Sequence, residues 1–119
     1  MWGRHQLTEG WIEVKAMADL REIQDQSVNM PCLVFKHSTT CGISAMAQRR
    51  LISEYAPLKD KFRFYYLDLL AHRDISNEIA KIFSVRHESP QLILIQNGKA
   101  IKHFSHDMVS FESIEGLHD

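Results

Sequence analysis

The run Cys32-Leu33-Val34-Phe35 is apolar at every position, and this lack of alternation restricts the fold more than any other feature of the chain. Successive side chains of a strand point to opposite faces, so such a run suits a strand covered on both sides. Pro31 opens it, and the polar stretch Lys36-His37-Ser38-Thr39-Thr40 is expected to end it. A sheet with two covered faces needs helices above and below.

The rest of the chain supplies them in alternation with further strands. Trp11 to Val14 reads as a short strand, with Trp2 to Gly10 as a lead-in. Met17, Leu20 and Ile23 share one face of a helix over Met17 to Gln26. A second helix is expected over Ala45 to Ile52, with Pro57 just past its end, and a strand over Phe62 to Leu69. Ile75, Ile79, Ile82 and Phe83 recur at helical spacing. After Pro90 comes the apolar strand Leu92 to Ile95, and Asn97-Gly98 is a two-residue hairpin signal returning the chain along Ala100 to Phe104. A last helix is expected over Met108 to Leu117. The order β-α-β-α-β-α-β-β-α implies parallel pairs joined by right-handed crossovers, then an antiparallel edge. This is an α/β, thioredoxin-like arrangement: a mixed central sheet with helices on both faces.

The 119 residues, 45% of them hydrophobic, suffice for one domain over 1–119 without metals or staples. Fourteen basic residues against 15 acidic ones give no electrostatic reason to expect nucleic acid or an anionic membrane as partner. The longest apolar runs are too short to span a bilayer. Met1 to Gly10 lacks the apolar stretch of a secretory signal, so the expected compartment is the reducing cytoplasm. There, two cysteines are read as chemical or buried rather than as a structural disulfide.

Cys41 falls directly after the buried strand and at the opening of a helix. Unpaired N–H groups and the positive end of the helix dipole both favour a thiolate, making this sulfur nucleophilic near neutral pH. Ser38, Thr39 and Thr40 are candidate donors to that anion, and Gly42 would let another molecule approach closely. The bland alternative is a small, inert cysteine near a helix start.

Cys41-Gly42-Ile43-Ser44 spells C-x-x-S. A hydroxyl forms no stable bond to sulfur, so Ser44 cannot release a mixed disulfide from Cys41, which must wait for an external thiol. Ser44 is also expected to be a water-exposed residue of the first helical turn. Cys32, nine residues earlier within the apolar strand, is read as buried core rather than a resolving thiol.

Only about 5–6% of X–Pro bonds are cis, but Pro90 stands where thioredoxins carry a cis proline. The expected Ser89–Pro90 cis bond would turn the Ser89 backbone toward Cys41, where it can pair with an extended substrate. His37 and His87 are each read two ways: as donor or positive charge for a thiolate, or as a solvated loop histidine. Cys41 is thus the expected catalytic residue, with Thr40, Gly42, Ser44, Ser89, Pro90, His37 and His87 as expected substrate contacts. Two cysteines nine apart with scattered histidines make no zinc pattern, and no metal or bound cofactor is expected.

Lys36-His37-Ser38-Thr39-Thr40-Cys41-Gly42-Ile43-Ser44, together with Val85-Arg86-His87-Glu88-Ser89-Pro90-Gln91, resembles the monothiol bacilliredoxin family, with its T-C-P-I-S type motif. The resemblance runs from about Trp11 to Leu117. It implies a thioredoxin-like fold and exchange with bacillithiol, a low-molecular-weight thiol removed from S-thiolated client proteins, with Cys41 as nucleophile and Pro90 as the substrate-loop proline. Gly42 departs from the motif's proline and restores an N–H donor. Two other readings compete. A glutathione-dependent glutaredoxin usually carries a T-V-P turn and a later Gly-Gly segment, where this chain has Ser89-Pro90 and Asn97-Gly98-Lys99. A non-catalytic adaptor of the same fold would bind extended peptides beside Pro90 without a reactive Cys41.

Overall fold

The computed structural model describes residues 10–106 and 109–110. The helix expected over Met108 to Leu117 and nearly all of the lead-in before Trp11 lie outside the described residues. The elements are β1 (Trp11–Glu13), α1 (Met17–Gln26), β2 (Cys32–His37), α2 (Gly42–Glu54), a 3-10 turn (Ala56–Leu58), β3 (Arg63–Asp68), α3 (Arg73–Ile82), β4 (Gln91–Gln96) and β5 (Lys99–Ser105).

The strands form one sheet in the order β1-β3-β2-β4-β5. β3 runs parallel to both β1 and β2, while β4 is antiparallel to β2 and to β5. Asn97 and Gly98 both adopt positive φ, 53° and 77°, as a tight hairpin turn between β4 and β5 requires.

β2 is buried at all six positions, which explains its unbroken apolar start. Two cores form, one on each face of the sheet. Leu33 and Phe35 pack with Ala47 and Leu51 of α2; Cys32 and Val34 pack with Leu20 and Ile23 of α1 and with Ile75 and Ile79 of α3. Burying each such aliphatic side chain is worth about 1.5–3 kcal/mol. Helix α1 starts where it does because the Asp19 carboxylate accepts hydrogen bonds from the Lys15 and Ala16 N–H groups, at 2.8 and 2.9 Å.

Several boundaries differ from expectation. The polar stretch ends β2 only after its first two residues have joined the strand: Lys36 pairs with Leu67 and Gln91, His37 pairs with Asp68, and both side chains are buried. Neighbouring strands continue on both sides of Lys36, and the backbone ladder is indifferent to side-chain polarity. Helix α2 begins three residues earlier than expected. Met17 and Ile82, the first and last residues of their helices, are exposed rather than part of the apolar faces, because each lies beyond the turns that rest on the sheet.

Candidate functional site

All three parallel strands end at the same edge of the sheet, and three segments converge there: the loop from β2 to α2, the turn from β3 to α3, and the loop leading into β4. The Leu69 N–H donates to the His37 carbonyl at 2.9 Å, joining the first two. The pairing of Gln91 with Lys36 brings the segment before β4, with Pro90, to this edge as well.

Cys41 is the N-cap residue of α2, with extended backbone (φ −106°, ψ 122°), and its carbonyl accepts the Ala45 N–H at 3.0 Å. Its thiol is free and half-buried. Among the described residues no side chain donates a hydrogen bond to the sulfur; Ser38 and Thr40 instead contact each other, Oγ to Oγ1, at 3.4 Å. Thr40 and Gly42 are exposed. A Cβ on Gly42 would meet no atom within 4 Å, so packing does not require glycine there.

Ser44 overturns one expectation. It is fully buried rather than open to water, because it shares the inward helix face with Ala47 and Leu51. Its Oγ lies 2.6 Å from His37 Nδ1 and accepts the Ser38 N–H at 3.0 Å. His37 is not a solvated loop residue either. It is the last residue of β2, stacked on Phe35 with ring centroids 5.6 Å apart and tilted against Tyr66 at 5.8 Å. Burial pushes its pKa below the ordinary histidine value, which favours a neutral ring able to accept the Ser44 hydroxyl proton. Neither side chain is open to a bound molecule; their network bridges the loop from residue 38 to residue 44, across Cys41.

The Ser89–Pro90 peptide is cis, as expected from the position of this proline. Pro90 is buried, and its carbonyl accepts the His106 N–H at 3.0 Å. The Ser89 hydroxyl oxygen is buried and has no hydrogen-bond partner among the described residues. His87 is exposed, with Nδ1 3.4 Å from Lys36 Nζ and 3.2 Å from Ser76 Oγ. Lys36, Ser76 and Gln91 escaped the reading of the sequence, though all three are fully buried at this edge. The usable signal was parity: Lys36 follows Cys32 and Val34 at every second position and so faces α1 and α3.

Cys32 contrasts with Cys41 throughout. It is fully buried, its sulfur lies 3.5 Å from the Met30 carbonyl, and burial pushes its pKa up to about 11. Among the described residues no group of three His, Cys, Asp or Glu side chains could hold a metal ion, and no helix is long and apolar enough to cross a membrane.

The architecture is that of a thioredoxin-fold protein. A solved structure with a thioredoxin fold superposes with TM-score 0.78 and 29% identity, covering 92% of this chain and 95% of that one. Thioredoxins from Malassezia sympodialis and Fasciola hepatica share the fold at 16% and 19% identity. Their TM-scores are 0.70 and 0.68, covering 95% and 90% of this chain and 92% and 96% of theirs. More narrowly, residues 12–114 match the family model of the monothiol bacilliredoxin BrxC. The chain belongs to the monothiol bacilliredoxin family.

Proposed function

We propose that this protein is a monothiol thiol–disulfide oxidoreductase that removes bacillithiol from S-thiolated proteins through a mixed disulfide on Cys41. The observation that carries the reading is the contrast between a half-exposed free thiol capping α2 and a second thiol sealed inside β2 with its pKa pushed up to about 11. In the reaction the Cys41 thiolate attacks the small thiol's sulfur in the client disulfide. That S–S bond breaks, and the client's thiolate leaves and takes up a proton. Cys41 now carries the small thiol as a disulfide. With serine at position 44, release needs a second small thiol. Its thiolate attacks the sulfur of the bound small thiol, giving the symmetric disulfide and regenerating the Cys41 thiolate.

The surroundings support this reading. Cys41 caps the N-terminus of α2, the positive end of the helix dipole. Beside Gly42, Ile43, Met46, Arg50 and His106 line an open pocket of about 320 Å³, an apolar surface that a client side chain could meet. A reducing cytoplasm is the compartment in which such a thiol would work.

Mass spectrometry after exposure to bacillithiol disulfide tests the reading. Wild type and Cys32→Ser are expected to gain one small-thiol adduct, and Cys41→Ser none. Equal adducts on wild type and Cys41→Ser would overturn the mechanism. Equal reactivity toward glutathione disulfide would overturn only the choice of thiol.

A further inference from the structure

Lys36 is fully buried, yet the contacts of its ammonium are with uncharged groups: the Ser76 carbonyl at 3.3 Å and His87 Nδ1 at 3.4 Å. Among the described residues no carboxylate lies within ion-pair distance of the Lys36 ammonium. A buried charge ordinarily has a counter-ion, because desolvation is otherwise uncompensated. Burial pulls the Lys36 pKa down to about 8, which leaves the amine mostly charged at pH 7.

The ammonium has donors only, so its contact with His87 makes Nδ1 the acceptor. A neutral His87 then carries its proton on Nε2. Because Nδ1 is anchored on the buried amine and the residue is exposed, that N–H is the ring's outward donor. Arg73, exposed in the first turn of α3, is a further positive charge acting on His87: after burial, Lys36 and then Arg73 hold the His87 pKa below its ordinary value. Glu88 acts in the opposite direction, its own carboxyl held below the usual range first by a hydrogen bond from Ser105. Asp74, the acid of that helical turn, is not among the charges acting on His87.

This cationic cluster sits at the edge of the sheet from which the chain leaves for Cys41. Resting on the exchange reading above, we propose that His87 and Arg73, backed by the buried Lys36, receive a carboxylate of an anionic low-molecular-weight thiol while its sulfur is exchanged at Cys41. A carboxylate there would accept charge-assisted hydrogen bonds from both exposed side chains and supply the anion that Lys36 lacks.

The test compares the rate of Cys41 adduct formation from bacillithiol disulfide, which carries carboxylates, with that from cystamine, which carries none. Arg73→Glu is expected to lower the ratio of the two rates about tenfold, and added salt to lower the wild-type ratio. Lys36→Met is expected to lower the ratio while its urea midpoint does not fall, which separates a lost charge from a lost fold. Lys81→Glu, the same charge reversal in the last turn of the same helix, is expected to keep the ratio within about twofold, since it lies about 12 Å along the axis from Arg73. If Arg73→Glu and Lys36→Met keep the wild-type ratio, or Lys81→Glu lowers it as much as Arg73→Glu does, the carboxylate site is overturned while thiol exchange stands. No Cys41 adduct from either disulfide would overturn both.

Discussion

Lys36 and His37 are consecutive, polar and buried, and they belong to opposite kinds of environment. His37 faces α2 and closes a neutral network with Ser44 and the Ser38 N–H, in which donors and acceptors meet at 2.6 and 3.0 Å. Lys36 faces α3 and heads a charged network whose contacts are longer, 3.3 and 3.4 Å, and which ends on the exposed His87. The first is what a buried polar group needs to be stable. The second carries a desolvated charge without a carboxylate partner, a poor way to stabilise a fold. The difference teaches that the α2 side of β2 holds the shape of the Cys41 loop, whereas the α3 side holds a charge whose use lies outside the fold.

Breaking the closed network should have the largest effect. His37→Ala removes a ring packed against both Phe35 and Tyr66 and leaves the Ser44 hydroxyl proton without its acceptor, so unfolding in urea should show a loss of about 3 kcal/mol. The wild type should also show a pH signature that this variant lacks. Because burial lowers the folded-state pKa of His37, the unfolded chain binds the extra proton first. The associated stability is therefore complete above the ordinary value of about 6.5 and is lost as pH falls below it. A variant with an unchanged stability slope below pH 6.5 would show that His37 is not the group responsible.

Removing the charge on the other side should act in the opposite direction. Lys36→Met is expected to raise stability by about 1–2 kcal/mol at pH 7, since an apolar side chain of similar length replaces an unpaired cation. With a folded-state pKa of about 8 against an ordinary 10.5, Lys36 makes the unfolded chain bind more protons across that interval. Wild-type stability should carry a rising contribution from about pH 8 to pH 10.5, and the gain from Lys36→Met should shrink over the same range. A large destabilisation of Lys36→Met at pH 7 would mean that the two sides of β2 are alike after all.

The smallest effect belongs to the open rim. Gly42 is the first residue of α2 and has empty space around its Cβ position, so proline is expected to fit and to add about 0.5–1 kcal/mol by restricting the unfolded chain. Because proline also removes one N–H near the sulfur, the same variant should react with alkylating agents at a changed rate. Unchanged stability and unchanged reactivity together would remove any role for this position.

Local pattern was enough for the strands and helices, because a two-sided run such as Cys32–Phe35 and the spacing of Ile75 and Ile79 are demanded by the faces they bury. The Asn97-Gly98 turn and the place of Pro90 were legible for the same reason: backbone chemistry restricts which residues serve there. Cys41 and Cys32 could be told apart by their flanking residues, since polarity before one and apolarity around the other already separate a rim from a core. What the chain alone left open was which polar residues meet. Whether His37 is solvated or buried depends on β3 continuing beside it, and Ser44 turns inward because α2 lies on the sheet with that face down. Lys36 finds Ser76 and His87 from 40 and 51 residues away. Hydrophobic periodicity is a property of short segments, whereas hydrogen bonds between side chains form only after the segments have packed, so the partners of a buried polar group are decided by the tertiary structure.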